Sequence, residues 1–413
     1  MKITVATIGT RGDIQPMLAL AVELKNAGHT VRFGAPENFQ DFIEEYGLAY
    51  FKVGSDFKKF IEDSAKSATK KMGSQKAYST FLKNEARIQF PLLLEGSKDA
   101  DMLIGCAMLF AGPSVAEKLN IPYRYVMFTP TAMPSRYSPP PTNIPWNELP
   151  SWLNALIWNV SRFAFNKIMK KTMLSERAKM GLGPFKDYWN YVISDKIILA
   201  TDPAASTVPD DVEQEWEQTG AFILPIVEKA LDPKLEAFLA AGEPPVFIGL
   251  GSMPSDDPDK TTRIFAEVVQ SLGRRVILYQ GWANLGNLKL PDNCLVIQGA
   301  PHQLLFPRLS AIVHHGGGGT TAAAIRAGVP QVVISVLGDQ HYWGYQMTRL
   351  GVSPDFIPFP KLNSKRLLEA VHKCLHSKEL GLKAKKLASE VNDGGTLEAV
   401  KIIEDLAGKK FGD

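Results

Sequence analysis

Cysteine is scarce in this 413-residue chain: Cys106, Cys294 and Cys374 are odd in number and widely scattered. That excludes a disulfide framework and fits a reducing compartment, and no Cys/His spacing resembles a zinc site. An excess of one charge is also missing. A formal net charge of +3 with no long basic run carries no nucleic-acid signature. No segment approaches about 18 consecutive apolar residues, so no membrane span is expected. The apolar start, MKITVATIG, is too short for a signal peptide and reads as a buried parallel strand entering a glycine turn. A cytoplasmic location is the resulting expectation. No dinucleotide fingerprint follows that strand, because Gly9 and Gly12 do not make GxGxxG, so NAD is weakly supported.

What is present is an ordinary globular composition, 45% hydrophobic and 22% charged, in a chain long enough for two or three domains. Strand and helix patterns alternate in the first half. Strands are predicted at Lys2 to Ile8, Thr30 to Gly34, Met102 to Gly105, Tyr123 to Phe128 and Asp195 to Ala200, with a helix from Gln15 to Asn26. The second half repeats the rhythm, with strands at Pro245 to Leu250, Arg275 to Gln280, Leu295 to Gln298, Leu309 to Val313 and Gln331 to Ser335. Such βαβ repetition implies doubly wound parallel sheets. The proline-punctuated stretch from about 203 to 245 reads as a linker. Residues 130–190 break the rhythm. They open with prolines and continue as an amphipathic stretch with Trp152, Leu156, Trp158, Phe163, Phe165 and Lys167, read as helices overhanging the cleft.

The most informative segment is IVHHGGGGTTAAAIRAG, from Ile312 to Gly328. A strand runs into His314-His315, four glycines, Thr320-Thr321 and an Ala-rich helix. Glycines let backbone approach a ligand closely, and the free N–H groups and positive dipole at a helix start attract phosphate. A diphosphate-bearing ligand is expected here. Asp13, after the first strand, has two readings from position alone: an ordinary N-cap before Pro16, or a carboxylate facing the cleft. Ser252, after another strand, is equally a phosphate donor or a cap.

These motifs together resemble the GT-B glycosyltransferases of family 1. The resemblance is carried by Gly9-Thr10-Arg11-Gly12-Asp13-Ile14-Gln15-Pro16, Gly28-His29-Thr30-Val31 and Gly249-Leu250-Gly251-Ser252-Met253. Ala300-Pro301-His302, the His-His-Gly run and Gly338-Asp339-Gln340 complete it. Within that family they look like sterol glucosyltransferases and the glycosyltransferases of glycopeptide antibiotics. The implied fold is α/β, two Rossmann-like doubly wound parallel-sheet domains facing across a cleft. Residues 1–218 would bind the acceptor, with 130–190 as its helical insertion. Residues 219–395 would bind the nucleotide sugar, and 396–413 would form a helix returning to the N-terminal domain.

The resemblance also implies roles. Asp13 would be the general base of an inverting transfer. Ser252, His315, Gly317, Gly319, Thr320 and Thr321 would hold the diphosphate. Asp339 and Gln340 would hold the sugar hydroxyls, and Ala300 and His302 would contact the nucleobase. Thr10 and Arg11 flank the same turn and could reach phosphate, although a solvated Arg11 is as compatible. Trp343 is expected to pack. The plant relatives' stacking tryptophan is Gly299 here, leaving Trp282 as the one substitute, and their ribose-binding glutamate is Ala323. Asp99/Asp101 and Asp257/Asp259 spell DxD, but metal dependence is not expected, and no cofactor is expected beyond a UDP-sugar co-substrate. The expected reaction moves a hexose to a hydroxyl of a lipophilic small molecule. Alternatives are a membrane-lipid acceptor with peripheral membrane contact, and a nucleotide-sugar 2-epimerase. A monomer or dimer is expected, without a nucleic-acid partner.

Overall fold

The computed structural model describes residues 1–56, 59, 75–141, 148–194, 196–227, 230–251, 253, 257–281, 285 and 288–411. The first sheet contains β1 (Lys2–Ile8), β2 (Thr30–Ala35), β3 (Ala49–Lys52), β4 (Met102–Ala107), β5 (Tyr123–Met127), β6 (Lys196–Leu199) and β7 (Glu215–Gln218). All pair in parallel, in the order β3-β2-β1-β4-β5-β6-β7. Alternation along β1 explains its burial on both faces. Ile3 and Val5 join the core beneath the helix Arg11–Asn26, whereas Ala6 and Ile8 join the opposite core with Leu103, Leu109 and Phe90. Each fully buried Ile or Val contributes roughly 1.5–3 kcal/mol of transfer free energy.

The second sheet contains β8 (Val246–Gly249), β9 (Val276–Tyr279), β10 (Cys294–Ile297), β11 (Ala311–His314), β12 (Gln331–Ser335) and β13 (Phe356–Pro358). It is also wholly parallel, in the order β10-β9-β8-β11-β12-β13. Three short strands fall outside the sequence expectations: β3, β7 and β13. β7 lies inside the stretch read as linker. Its sequence EWEQ is charged and exposed, as suits an edge strand.

Several contacts tie the two units. The last helix, Gly395–Phe411, crosses back, and Ala399, Val400, Ile402 and Ile403 bury themselves in the first unit's core. Arg326 of the second unit pairs with the buried Asp202 at 2.9 and 3.0 Å, and with Asp393 at 2.7 Å. In the insertion, the helix Ser151–Lys179 anchors Trp158, whose indole N–H donates to Ser138 O at 2.8 Å. No helix among the described residues is long and apolar enough to cross a membrane.

Candidate active site

In each sheet the chain reverses its direction of winding beside the first strand, between β1 and β4 and between β8 and β11. Loops leaving adjacent strands at such a point diverge and open a crevice at the carboxyl ends. The first crevice holds Gly9 to Asp13. Thr10, not Asp13, is the N-cap, so the helix begins at Arg11 rather than at Gln15. Asp13 occupies the third helical position and closes a capping box. Its Oδ2 accepts from the Thr10 N–H at 2.7 Å and from the Thr10 hydroxyl at 3.2 Å. Thr10 Oγ1 in turn accepts from the Gly12 N–H at 3.2 Å. Gly9 has φ +157°, and a Cβ there would collide with the Asp13 carboxylate. Burial raises Asp13 from 3.8 to about 6, against the lowering effect of the Thr10 hydrogen bonds.

The second crevice holds the histidine-glycine run. His314 is fully buried and structural: Nδ1 accepts from the Gly316 N–H at 3.1 Å, so Nε2 carries the proton and donates to Gln331 Oε1 at 2.7 Å. His315 lies between two glycines. A Cβ on Gly251 would lie 2.5 Å from its Cε1, and one on Gly317 would lie 2.5 Å from its Nε2. Both glycines are therefore needed for the ring to sit where it does. Its Nδ1 is buried with no hydrogen-bond partner among the described residues. Burial, then the neighbouring His314 and His302, hold its pKa down to about 3. The imidazole is thus neutral at pH 7, and attraction for an anion comes from the start of the helix Gly318–Ala327. Gly317 is the N-cap and supplies no side chain, which leaves the first-turn N–H groups for a ligand. Gly319 faces open space and Thr320 is half-buried. Thr321 turns inward: it is fully buried and its hydroxyl donates to Gly317 O at 3.0 Å, holding the turn rather than facing the cleft.

Asp339 opens the helix Asp339–Arg349. Burial, then the charge of Asp13, raises its carboxyl to about 7, so the carboxylates of the two domains are within electrostatic reach of one another. Gln340 lies beside Asp339 with its side chain turned inward. It is 3% exposed, its Oε1 accepts from the Val336 and Leu337 N–H groups at 2.8 and 3.3 Å, and Nε2 contacts Met253 Sδ at 3.0 Å. A buried amide must satisfy its own polar atoms, and this one does so through its own loop and through Met253 of the loop after β8. His302 is stacked on Phe306 with centroids 4.2 Å apart. Its pKa falls to about 4 through burial, then His314, then Arg11. Arg11 itself is exposed, with its guanidinium 4.8 Å over the Phe42 ring, and its charge reaches His302 from the opposite domain. Ala300 lies half-buried just before the short helix that His302 opens. Ser252 and Trp282 lie outside the described residues.

The DxD spellings are used elsewhere. Asp101 accepts from the Lys2 N–H at 2.7 Å, at the amino ends of the central strands and so opposite the site, and Asp257 caps the helix Pro258–Leu272. Two functional positions are not singled out by the sequence reading: Thr10 as the group that holds Asp13, and Gly251 as a wall of the His315 seat. The capping-box pattern Thr-x-x-Asp is the available signal for the first.

Residues 3–137 match the glycosyltransferase family 28 N-terminal domain, and residues 262–406 match the erythromycin biosynthesis protein CIII-like C-terminal domain. The vancomycin aglycone glucosyltransferase of Amycolatopsis orientalis is 33% identical over 422 residues, covering 99% of this chain and 98% of that one. The chain belongs to the GT-B glycosyltransferases. A sterol 3-beta-glucosyltransferase of Arabidopsis thaliana, UGT80A2, is 31% identical to this glycosyltransferase over 426 residues, covering 97% of this chain and 65% of that one. The crystal structure of the kitacinnamycin glycosyltransferase shares the fold, with a TM-score of 0.76 at 18% identity over 98% of both chains.

Proposed function

We propose that this glycosyltransferase moves glucose from UDP-glucose, with inversion, to a hydroxyl of a lipophilic small molecule such as a sterol, terpenoid, polyphenol or macrolide. The observation that carries this is the uncapped helix start beside a buried His315 nitrogen that has no partner among the described residues, with the carboxylates of Asp13 and Asp339 within electrostatic reach of one another. In the proposed step, Asp13 takes the acceptor hydroxyl's proton as its oxygen bonds to the anomeric carbon. The bond from that carbon to the phosphate oxygen breaks, and its electron pair leaves with the diphosphate. The N–H groups of the helix start and His315 stabilise that departing charge. Because these donors supply the neutralisation, transfer is proposed to run without a metal. Asp339 would orient the sugar hydroxyls.

One named relative acts, by name, on vancomycin aglycone and the other on a sterol, and the second supports a lipophilic acceptor. The preference for UDP over dTDP rests on that likeness alone. The test is nucleotide release from the purified protein with UDP-glucose and dTDP-glucose against sterols, flavonoids and macrolides, with and without EDTA. Acceptor-dependent, EDTA-resistant UDP release with a glucoside product supports the proposal; release that needs no acceptor, or none with either donor, sinks it.

A second reading, a membrane-lipid acceptor, is favoured by one observation. On the helix Ser151–Lys179, Trp152, Leu156, Val160 and Phe163 are exposed on one face, Trp152 by 68% and Phe163 by 70%. Lys167 and Lys171 continue that exposed face. An apolar stripe running into lysines suits an anionic bilayer surface. Flotation with vesicles containing phosphatidylserine should be reduced by Trp152→Ser with Phe163→Ser; absence of the wild-type protein from the floating fraction removes this reading.

A further inference from the structure

Trp343 lies on the helix that begins at Asp339, one turn further on and therefore on the same side of it. It is 4% exposed, its ring meets Tyr342 edge-on at 5.3 Å, and its apolar surface joins a core with Ala205, Ile325 and Met347. Packing accounts for the ring but not for its nitrogen. Among the described residues, the Nε1–H is buried and has no acceptor. A buried donor left unpaired costs about 1–3 kcal/mol, so its persistence calls for a partner.

The surroundings indicate what that partner is. A Cβ on Gly318, the first residue of the diphosphate helix, would lie 3.5 Å from Trp343 Nε1 and 3.4 Å from Phe128 O at the end of β5. Trp343, Gly318 and Gly319 wall one side of a small interdomain gap, and Pro16 and Phe128 of the N-terminal domain wall the other. The indole nitrogen thus lies beside the first residue of the uncapped helix, on a helix whose first turn carries Asp339. The helix there has ten residues and lacks any side-chain cap.

We infer that Trp343 is a positioning residue for the nucleotide sugar: its indole N–H donates a hydrogen bond to an oxygen of the sugar-diphosphate. That oxygen belongs either to the distal phosphate, next to Gly318, or to a hexose hydroxyl, next to Asp339. The inference rests on the proposed donor chemistry. It assigns Trp343 a ligand contact in addition to packing, which makes its exchange for another aromatic ring non-conservative.

The experiment compares wild type, Trp343→Phe and a protein carrying 3-benzothienylalanine at position 343, which keeps the bicyclic shape without the N–H. UDP affinity is measured by calorimetry, and KM and kcat with UDP-glucose are measured for an accepted acceptor. The benzothienyl protein is expected to melt no lower than wild type, since it loses only an unpaired donor, whereas Trp343→Phe leaves a cavity in the core and is expected to melt lower. A hydrogen bond to phosphate predicts UDP binding weakened more than about tenfold, as befits a charged acceptor. A hydrogen bond to a sugar hydroxyl predicts unchanged UDP affinity with KM for UDP-glucose raised about 3- to 10-fold. Either outcome supports the inference. Unchanged UDP affinity, KM and kcat in the benzothienyl protein overturns it, leaving water between Trp343 and Phe128 O as the partner. Failure of the wild type itself to bind any nucleoside diphosphate would instead overturn the donor chemistry.

Discussion

Replacing Asp13 with Asn separates what the carboxylate does for transfer from what it does to the fold. Asn at this position still accepts from the Thr10 N–H, so the capping box and turn should survive. It cannot take a proton, and losing a positioned base lowers rate by roughly 10²- to 10⁴-fold. Donor affinity should hold, because the donor's contacts are drawn from the opposite domain. In the wild type, a carboxyl at about 6 is some nine-tenths ionised at pH 7 and about one-tenth at pH 5, so kcat/KM should fall nearly tenfold per pH unit below 6. Stability moves in the opposite sense. The folded pKa lies above the ordinary 3.8, so ionised Asp13 costs stability above pH 6; the cost shrinks between 6 and 4 and vanishes below. The full gap corresponds to about 3 kcal/mol, and partial exposure of Asp13 to cleft solvent reduces it to on the order of 1–2 kcal/mol. Asp13→Asn should therefore melt higher than wild type at pH 8, with the difference closing toward pH 4. Steady-state kinetics and thermal melts across pH 4–8 read both effects. Wild-type turnover in the variant, or an acid limb absent near pH 6, would refute the assignment of the base.

Other expectations follow from the same geometry. His315→Ala should weaken UDP binding about three- to tenfold, and wild-type binding should not strengthen as the pH falls from 8 to 5, because a ring held at about 3 gains no charge there; calorimetry at both pH values checks this. Gly317→Ala should weaken UDP binding more than His315→Ala does, since the added methyl would lie 2.5 Å from His315 Nε2 and displace ring and helix start together; equal affinity to wild type counts against the described seat. Arg326→Ala leaves Asp202 buried, at 4% side-chain exposure, without its bidentate partner, and should cost about 3 kcal/mol; adding Asp202→Asn should recover part of the lost Tm. Because the charge of Asp13 helps hold Asp339 at about 7, Asp13→Asn should lower the Asp339 pKa as followed by carboxyl NMR.

The architecture was largely legible because long, apolar strands buried on both faces and followed by glycine turns suit few folds besides a doubly wound parallel sheet. β1 and β12 fall at Lys2–Ile8 and Gln331–Ser335, as expected from the sequence, and most other central strands agree within two residues. The misses are edge strands. β3, β7 and β13 are three or four residues long, too short for a periodic signal, and β7, paired on one side only, has the polar sequence EWEQ. In the site, motif spacing identified the turns but not the side-chain directions. Thr321 and Gln340 occupy motif positions yet point into the protein, because each satisfies backbone groups of its own loop. The cap at Thr10 rather than Asp13 was within reach of sequence rules. The nitrogens of His315 and Trp343, without a partner among the described residues, were not, since they depend on what three-dimensional packing leaves unsatisfied.

The most direct test of the account is the anomeric configuration of the product formed from UDP-α-glucose, read by proton NMR on the purified glucoside. A single displacement with Asp13 as base requires a β-glucoside. An α-glucoside would contradict the account, since retention cannot arise from one in-line attack by the acceptor hydroxyl.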